Sequence, residues 1–291
     1  MLKIAMIQLN IRCDDKCANY DRAETLLRQA ADADCDVAIL PEVFDTGFSQ
    51  HVVRTAATGG NTREFLDAMA ADCNLSLVAG IAEPADAAAQ SSAAAQSGAE
   101  QRCRNVAVAF DRNGHLLAAY CKIHPFSFTG EDRFFVSGNR LVTCAIEGIS
   151  TALFVCYDLR FPEIFRRVAR DAQMMIVPAN WPTSRQPHWE ALLKARAIEN
   201  QCVIIGVNRT GTNLSGLQFP GASRIYGPFG EEIPSRSISD ELLIAEIDIT
   251  EVARIRRQFP FLQDMRAVPT LPSMTIGDVC PAFRGGFEEA S

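Results

Sequence analysis

Glu42, Lys122, Glu131 and Cys156 are the side chains of this 291-residue sequence best suited to covalent chemistry. Glu42 follows the apolar run VAILP, Lys122 follows LLAAYC, and Cys156 closes TALFVC. Glu131 stands nine positions after Lys122 in KIHPFSFTGED, a stretch able to fold back over a strand end. Strand ends gather chemistry in layered α/β folds, because loops there vary while the sheet stays rigid. The residue types also suit one another. A free thiol has a pKa of about 8.5, so little of it is thiolate at neutral pH. A lysine cation favours the thiolate, and a carboxylate can take the thiol proton and return it to a leaving amine. The ammonium, with a backbone N–H after the nucleophile, can then face a tetrahedral oxyanion. In CYDLRFPE the chain leaves a strand, turns over Tyr157–Arg160 and enters a helix near Pro162. That elbow points the thiol out of the sheet. The set predicts acyl transfer.

Each residue alone also has a plain structural explanation. A cysteine in an apolar strand is usually core, and nine other cysteines compete for either role. Glu42 alone fits a helix cap or a surface carboxylate, and Lys122 with Glu131 fits an exposed ion pair worth little. His124 invites a Cys–His pairing, but a lone loop histidine more often serves structure or faces solvent. No His/Cys cluster has metal-ligand spacing, so neither metal nor cofactor is expected.

The bulk composition narrows the class. Hydrophobic residues at 48% and charged residues at 22% are globular proportions. A net charge of −7 argues against a nucleic-acid groove and offers no basic face to anionic lipid. The opening MLKIAMIQLN is too short for a signal peptide or a spanning helix, and no later segment has the roughly 18 apolar residues of a membrane span. The ten cysteines form no CxxC pair, which predicts a cytoplasmic protein with reduced thiols.

The elements that must position these groups are legible. Short apolar runs fall at 3–9, 36–40, 75–81, 105–110, 116–121, 151–156, 173–177, 201–207, 223–227 and 242–247. Such runs fit strands covered on both faces. Helical spacing appears after Asn19 as an N-cap, after Asn61 with Glu64 as a capping box, after Pro162, and from His188 to Asn200. The order strand, helix, strand, helix, strands occurs over 3–121 and again over 151–247. This repeat predicts two similar sheets, each with a helix pair, in a four-layer αββα sandwich. Residues 84–101, rich in Ala, Gln and Ser, predict a long loop or frayed helix, and the Pro-punctuated tail a segment packed on a neighbour or frayed.

PEVFDTGF, KIHPF with Glu131, CYDLRFPE, PANWP and HWEALLKARAIENQ together resemble the nitrilase superfamily of carbon–nitrogen hydrolases. The likeness runs from residue 3 to about residue 262. It implies a hydrolase domain over 1–262 and a C-terminal tail over 263–291 at a dimer interface. It also implies the same αββα fold and a catalytic set on Glu42, Lys122, Glu131 and Cys156. By that resemblance Glu42 is the general base, Lys122 stabilises the tetrahedral intermediate, and Glu131 positions substrate or Lys122. CYDLRFPE, ANWPTSRQPHWEALLKARAIENQ and RRQFPFLQD are most similar to the omega-amidase branch, which acts on monoamides of dicarboxylic 2-oxo acids such as 2-oxoglutaramate. Deaminated-glutathione amidase and nitrile hydrolase are the alternatives with the same four residues, and a non-catalytic binding or redox protein is the reading of another class. The 84–101 insertion departs from the pattern. A substrate carboxylate needs a cation, and Arg160, Arg185 and Lys194 are the candidates. Tyr157 and Asn180 are expected beside the substrate. Phe48, Phe126 and Trp181 are expected to wall the pocket, with Phe44, Phe128 and Trp189 as further aromatics. The resemblance further implies a homodimer or larger assembly, through the helices after Pro162 and around His188.

Overall fold

The computed structural model describes residues 1–85 and 102–266. In chain order the strands begin with β1 (Leu2–Ile7), β2 (Val37–Ile39), β3 (Ser76–Pro84), β4 (Cys103–Phe110), β5 (Leu116–Cys121) and β6 (Phe135–Val136). They continue with β7 (Thr143–Ile146), β8 (Ile149–Leu153), β9 (Met174–Ala179), β10 (Val203–Asn208), β11 (Thr210–Thr212) and β12 (Gln218–Pro220). The last are β13 (Arg224–Tyr226), β14 (Ser235–Ser239) and β15 (Leu242–Ile247). One sheet runs β14-β15-β1-β2-β3-β4-β5, with β6 on β4; the second runs β13-β10-β9-β8-β7.

Alternation within the strands explains the layering. In β1, Ile4 and Met6 join a core shared with Ala152, Ile176 and Ile204 of the second sheet. Ala5 and Ile7 face the other way, onto Ala23, Leu26 and Leu27 of the helix Lys16–Asp32 and Leu66 and Met69 of the helix Thr62–Cys73. The second sheet is covered on its far side by Phe165 and Val168 of the helix Pro162–Val168 and by Trp189, Leu193 and Ala197 of the helix Gln186–Asn200. Both faces of each sheet are therefore apolar, which is why the strands read as unbroken hydrophobic runs. The result is the expected αββα order.

Two expectations are corrected. The final strand does not close the second sheet: β15 pairs antiparallel with β1, from Leu2 opposite Ile247 to Ile7 opposite Leu242. Ala245 and Ile247 fill the core between the sheets while Leu242 and Ile244 join the outer helical layer, so this strand fits the first sheet on both faces. Element order alone carries no sheet membership. The second sheet gains β7 instead, antiparallel to β8. Asn19 is not a helix cap either. Asp15 caps that helix by accepting from Ala18 N, and the buried Asn19 amide donates to Arg12 O and Asp45 O at 2.8 Å each. Asn61 does cap its helix, accepting from Arg63 N. Of the 84–101 segment, Pro84 ends β3 and residues 86–101 lie outside the described residues, as does the tail beyond 266.

One glycine sets how closely the first sheet approaches the Glu42 turn. A Cβ on Gly80 in β3 would lie 2.4 Å from Glu42 Cα and 3.0 Å from Pro41 O. The Gly80 carbonyl accepts from Phe44 N at 2.9 Å, which seats the turn on the strand. Replacing Gly80 with alanine is expected to lower stability by about 1–3 kcal/mol through overpacking, and to displace Glu42. Urea melts and turnover of the same variant check both effects; unchanged turnover would mean the turn tolerates the shift.

Candidate active site

Four local structures bring the chemical side chains together. Glu42 follows β2, where Val43 takes φ 40°, a left-handed backbone that a β-branched residue adopts only under constraint. Lys122 leaves β5 with its N–H donated to Asn105 O at 2.8 Å. Glu131 opens the short helix Glu131–Phe134 after Gly130, itself at φ 78°. Cys156 heads the turn Cys156–Arg160 at φ 44°, between β8 and the helix that starts at Pro162. The expected elbow is present, and its strain is centred on the cysteine.

The charged groups lie under the surface. Glu42 is 0% exposed and Lys122 1%. The Lys122 ammonium donates to Glu42 Oε1, Glu131 Oε1 and Glu131 Oε2, each at 2.8 Å. Phe126 N donates to Glu131 Oε2 at 2.7 Å, and Asn180 N to Glu42 Oε2 at 2.8 Å. Burial alone would lower the Lys122 pKa, but Glu131 and Glu42 override it and hold the ammonium above its ordinary range. Burial pushes the Cys156 thiol well above its usual value, Glu42 adds to the rise, and Lys122 only partly opposes it. The resting nucleophile is therefore a neutral thiol. Lys122 is engaged by two carboxylates, so thiolate formation requires a base during attack rather than a standing cation.

A third buried carboxylate of the site region, Asp158, holds the elbow. Asp158 accepts from Val155 N at 3.1 Å, Tyr120 Oη at 2.8 Å, and His124 N and Nδ1 at 3.0 and 2.9 Å. It thereby ties the segment after Lys122 to the turn that carries Cys156. His124 also stacks on Phe161 with ring centroids 3.8 Å apart, which gives it a structural place.

Above these groups is a cavity of about 140 Å³, lined by Glu42, Lys122, Glu131 and Cys156. Phe48, Phe126, Tyr157, Arg160, Asn180, Trp181 and Arg185 line it too, as the sequence suggested. Arg160 lies over the Trp181 ring at 5.0 Å and Arg185 over Phe126 at 5.4 Å. Neither guanidinium pairs with a carboxylate among the described residues; Arg160 meets His188 Nδ1 at 3.2 Å. The other suggestions fall elsewhere. Lys194 is not among the lining residues, Phe44 is core beneath the helices, Trp189 is buried in the outer layer, and Phe128 is 87% exposed. Sequence reasoning missed Asn105, whose Nδ2 donates to Glu42 Oε1 at 2.8 Å and Glu131 Oε1 at 3.0 Å. It also missed Arg209, which lies over Phe219 at 4.7 Å, and the β11–β12 hairpin that contributes Leu217 and Phe219 to the wall. A signal existed for the first two: each is a polar residue at one end of a two-sided apolar strand, where burial without a partner is costly. Among the described residues no group of metal-ligating side chains is assembled, and no helix is long and apolar enough to cross a membrane.

Two layered sheets with a buried Lys–Glu–Glu cluster beside a cysteine define a hydrolase of carbon–nitrogen bonds. Residues 3–257 match the carbon-nitrogen hydrolase family model, and the chain belongs to that family. It is 33% identical over 264 residues to omega-amidase YafV of Escherichia coli K12, covering 90% of this chain and 96% of the relative. It is 29% identical over 266 residues to 2-oxoglutaramate amidase of Bacillus subtilis strain 168, covering 90% and 97%. Among solved structures, a CN-hydrolase superfamily protein of Xanthomonas campestris superposes with a TM-score of 0.81 at 28% identity, over 92% of this chain and 98% of that one. Saccharomyces cerevisiae Nit3 gives 0.76 at 26% identity, over 89% and 94%.

Removing the Asp158 carboxylate strands buried donors from three residues. Asp158→Ala is expected to cost on the order of 3 kcal/mol, with Asp158→Asn recovering part because its amide oxygen still accepts. Denaturant titration of both variants measures this; equal midpoints for Asp158→Ala and the parent would contradict it.

Proposed function

We propose that this protein hydrolyses the omega-amide of small dicarboxylic 2-oxo acid monoamides, such as 2-oxoglutaramate, through a thioester on Cys156. The observation that carries the reading is the juxtaposition of the buried Glu42–Lys122–Glu131 cluster and Cys156 with two guanidiniums, Arg160 and Arg185, that have no carboxylate partner among the described residues. The names of the relatives, omega-amidase and 2-oxoglutaramate amidase, support the same substrate class.

The geometry and the family resemblance support the following roles. Glu42 takes the thiol proton as Sγ attacks the amide carbonyl carbon. The carbonyl oxygen becomes an oxyanion beside the Lys122 ammonium. Glu42 then gives its proton to the amide nitrogen, the C–N bond breaks, ammonia leaves, and a thioester remains on Cys156. Water, deprotonated by Glu42, attacks the thioester carbonyl, and the acid leaves as the thiol regains its proton. Glu131 takes part in neither transfer and holds Lys122 in place. Arg185 and Arg160, oriented by the Phe126 and Trp181 rings beside them, receive the distal carboxylate. Tyr157 and Asn180 border the reacting group.

We further infer a homodimer, because Ile198, Phe229 and Phe261 are exposed apolar residues at the Gln186–Asn200 helix and its neighbours, with Phe229 and Phe261 each meeting Phe259. Residues 1–262 form the catalytic domain in this reading. The dependence on a free thiol suits a cytoplasmic location.

Ammonia release from 2-oxoglutaramate and succinamate, set beside deaminated glutathione and simple nitriles, tests the substrate class. Cys156→Ala is expected to abolish turnover while leaving the melting temperature nearly unchanged. Arg185→Leu is expected to raise KM about 10- to 100-fold for 2-oxoglutaramate, the loss of about 1.5–3 kcal/mol from a charge-assisted contact. An equal effect on an amide without a distal carboxylate would remove that role. Sedimentation as a monomer at micromolar concentration would exclude the dimer.

A further inference from the structure

Asn105 contributes an amide that is neither nucleophile, base nor acid, yet it sits inside the charged cluster. It is buried in β4, opposite Ala82 of β3, and its main-chain oxygen accepts from Lys122 N. Its side-chain oxygen is buried with no hydrogen-bond partner. A flipped amide would turn that oxygen toward two carboxylates, so the chemistry of the neighbours fixes the orientation. A buried acceptor left unpaired is unfavourable, and its retention asks what the two amide N–H groups accomplish.

A count of acceptor sites gives the answer. An ionised carboxylate has about four lone-pair sites. Glu131 accepts four hydrogen bonds from three groups: Lys122 and Asn105 on Oε1, Lys122 and Phe126 N on Oε2. Its acceptor sites are filled. Glu42 receives three: Lys122 and Asn105 on Oε1, and Asn180 N on Oε2. Its one open site is on Oε2. The same Asn180 whose N–H binds Oε2 accepts from Cys156 Sγ at 3.9 Å, so Oε2 is the Glu42 oxygen that shares a neighbour with the thiol.

We propose that Asn105 is a positioning residue that directs proton transfer, by occupying Glu42 Oε1 and leaving a single open lone pair on Oε2 for the Cys156 proton. This rests on the reading of Glu42 as the base. Lys122 alone would leave Oε1 with a free site of its own, and the carboxylate could then accept a proton on the oxygen that Asn180 does not bind. A neutral amide suits the task because it holds two carboxylates without adding a charge or a transferable proton.

The test reads the thiol directly and needs no substrate. Iodoacetamide alkylation of Cys156, followed by peptide mass mapping as a function of pH, is compared for the parent, Asn105→Ala, Glu42→Gln and the double variant. The titratable groups facing Asn105 are Glu42, Glu131 and Lys122, with Cys156 beyond Glu42 and Asp45 behind Ala82, to whose N–H it is bonded. Asp45→Asn therefore serves as a control expected to leave the midpoint unmoved. Removing a donor from both glutamates favours their protonated forms, so in Asn105→Ala the acid limb should move up by about one pH unit. The alkylation rate should fall about 10- to 100-fold, with no further fall when Glu42→Gln is already present. On 2-oxoglutaramate, kcat should drop by a similar factor with KM held within about threefold. A purely structural role would lower the melting temperature without moving the limb. The isosteric Asn105→Asp covers the case in which the alanine variant does not fold; a third carboxylate around one ammonium should move the limb further in the same direction. An unmoved limb in a folded variant, or an alkylation loss fully additive with Glu42→Gln, overturns the proposal. Failure of the parent to release ammonia from 2-oxoglutaramate would instead remove the substrate assignment and leave the alkylation result standing.

Discussion

One ammonium shared by two buried carboxylates is the constraint from which the rest of the architecture follows. Lys122, Glu42 and Glu131 together carry a surplus of negative charge out of water, a costly arrangement unless each oxygen is hydrogen-bonded. The donors that offset this cost come from far apart in the chain: Phe126 N beside the short helix, Asn180 N after β9, and Asn105 from β4. No local segment could supply them. The cluster exists only when the two sheets are face to face, because Glu42, Asn105 and Lys122 hang from the first while Asn180 and Cys156 hang from the second. Burial first, and the Glu42 charge second, keep the thiol protonated at rest, which reserves its reactivity for a bound carbonyl and spares it from casual oxidation.

The strain in the structure is located where that cluster is assembled. Val43 and Cys156 both take left-handed backbone angles, and each adjoins or is a reacting residue. Strain of this kind persists only where surrounding contacts outweigh it. Gly80 underlies the first turn, and the Asp158 carboxylate clamps the second by bonding Val155, Tyr120 and His124 at once. Both supports lie behind the cavity wall, and neither is among its lining residues. Rigidity of the site therefore resides in groups a substrate never meets.

Much of this was legible in the sequence, and the unread parts share a cause. Apolar runs located the main strands, because burial on both faces leaves an unbroken hydrophobic record. Cys156 was legible by its company: an apolar strand before it, Pro162 after it, and charged residues ending other strands. Asn105 and Arg209 left only a faint mark, since one polar residue at a strand end has many possible partners and the partners lie on other strands. The membership of β15 left none. Its pattern suits either sheet, and only the shape of the assembled core chooses β1 as its neighbour. Asn19 misled for a related reason: a good capping residue stood beside a better one, Asp15, while its own amide was taken by Arg12 and Asp45.

The pairing of β15 with β1 has a consequence for biosynthesis. Leu2 lies opposite Ile247, so β1, paired early with β2 on one side, lacks its other neighbour until almost all of the described chain has left the ribosome. Closing so long a loop is slow compared with local contacts, and a nascent N-terminal half would carry an open, apolar strand edge through most of translation. Chaperones that shield such edges would meet this protein early. The nucleophile would gain the last of its cavity wall only when Phe219 of β12 has been made, so chains ending before that strand would lack part of the site.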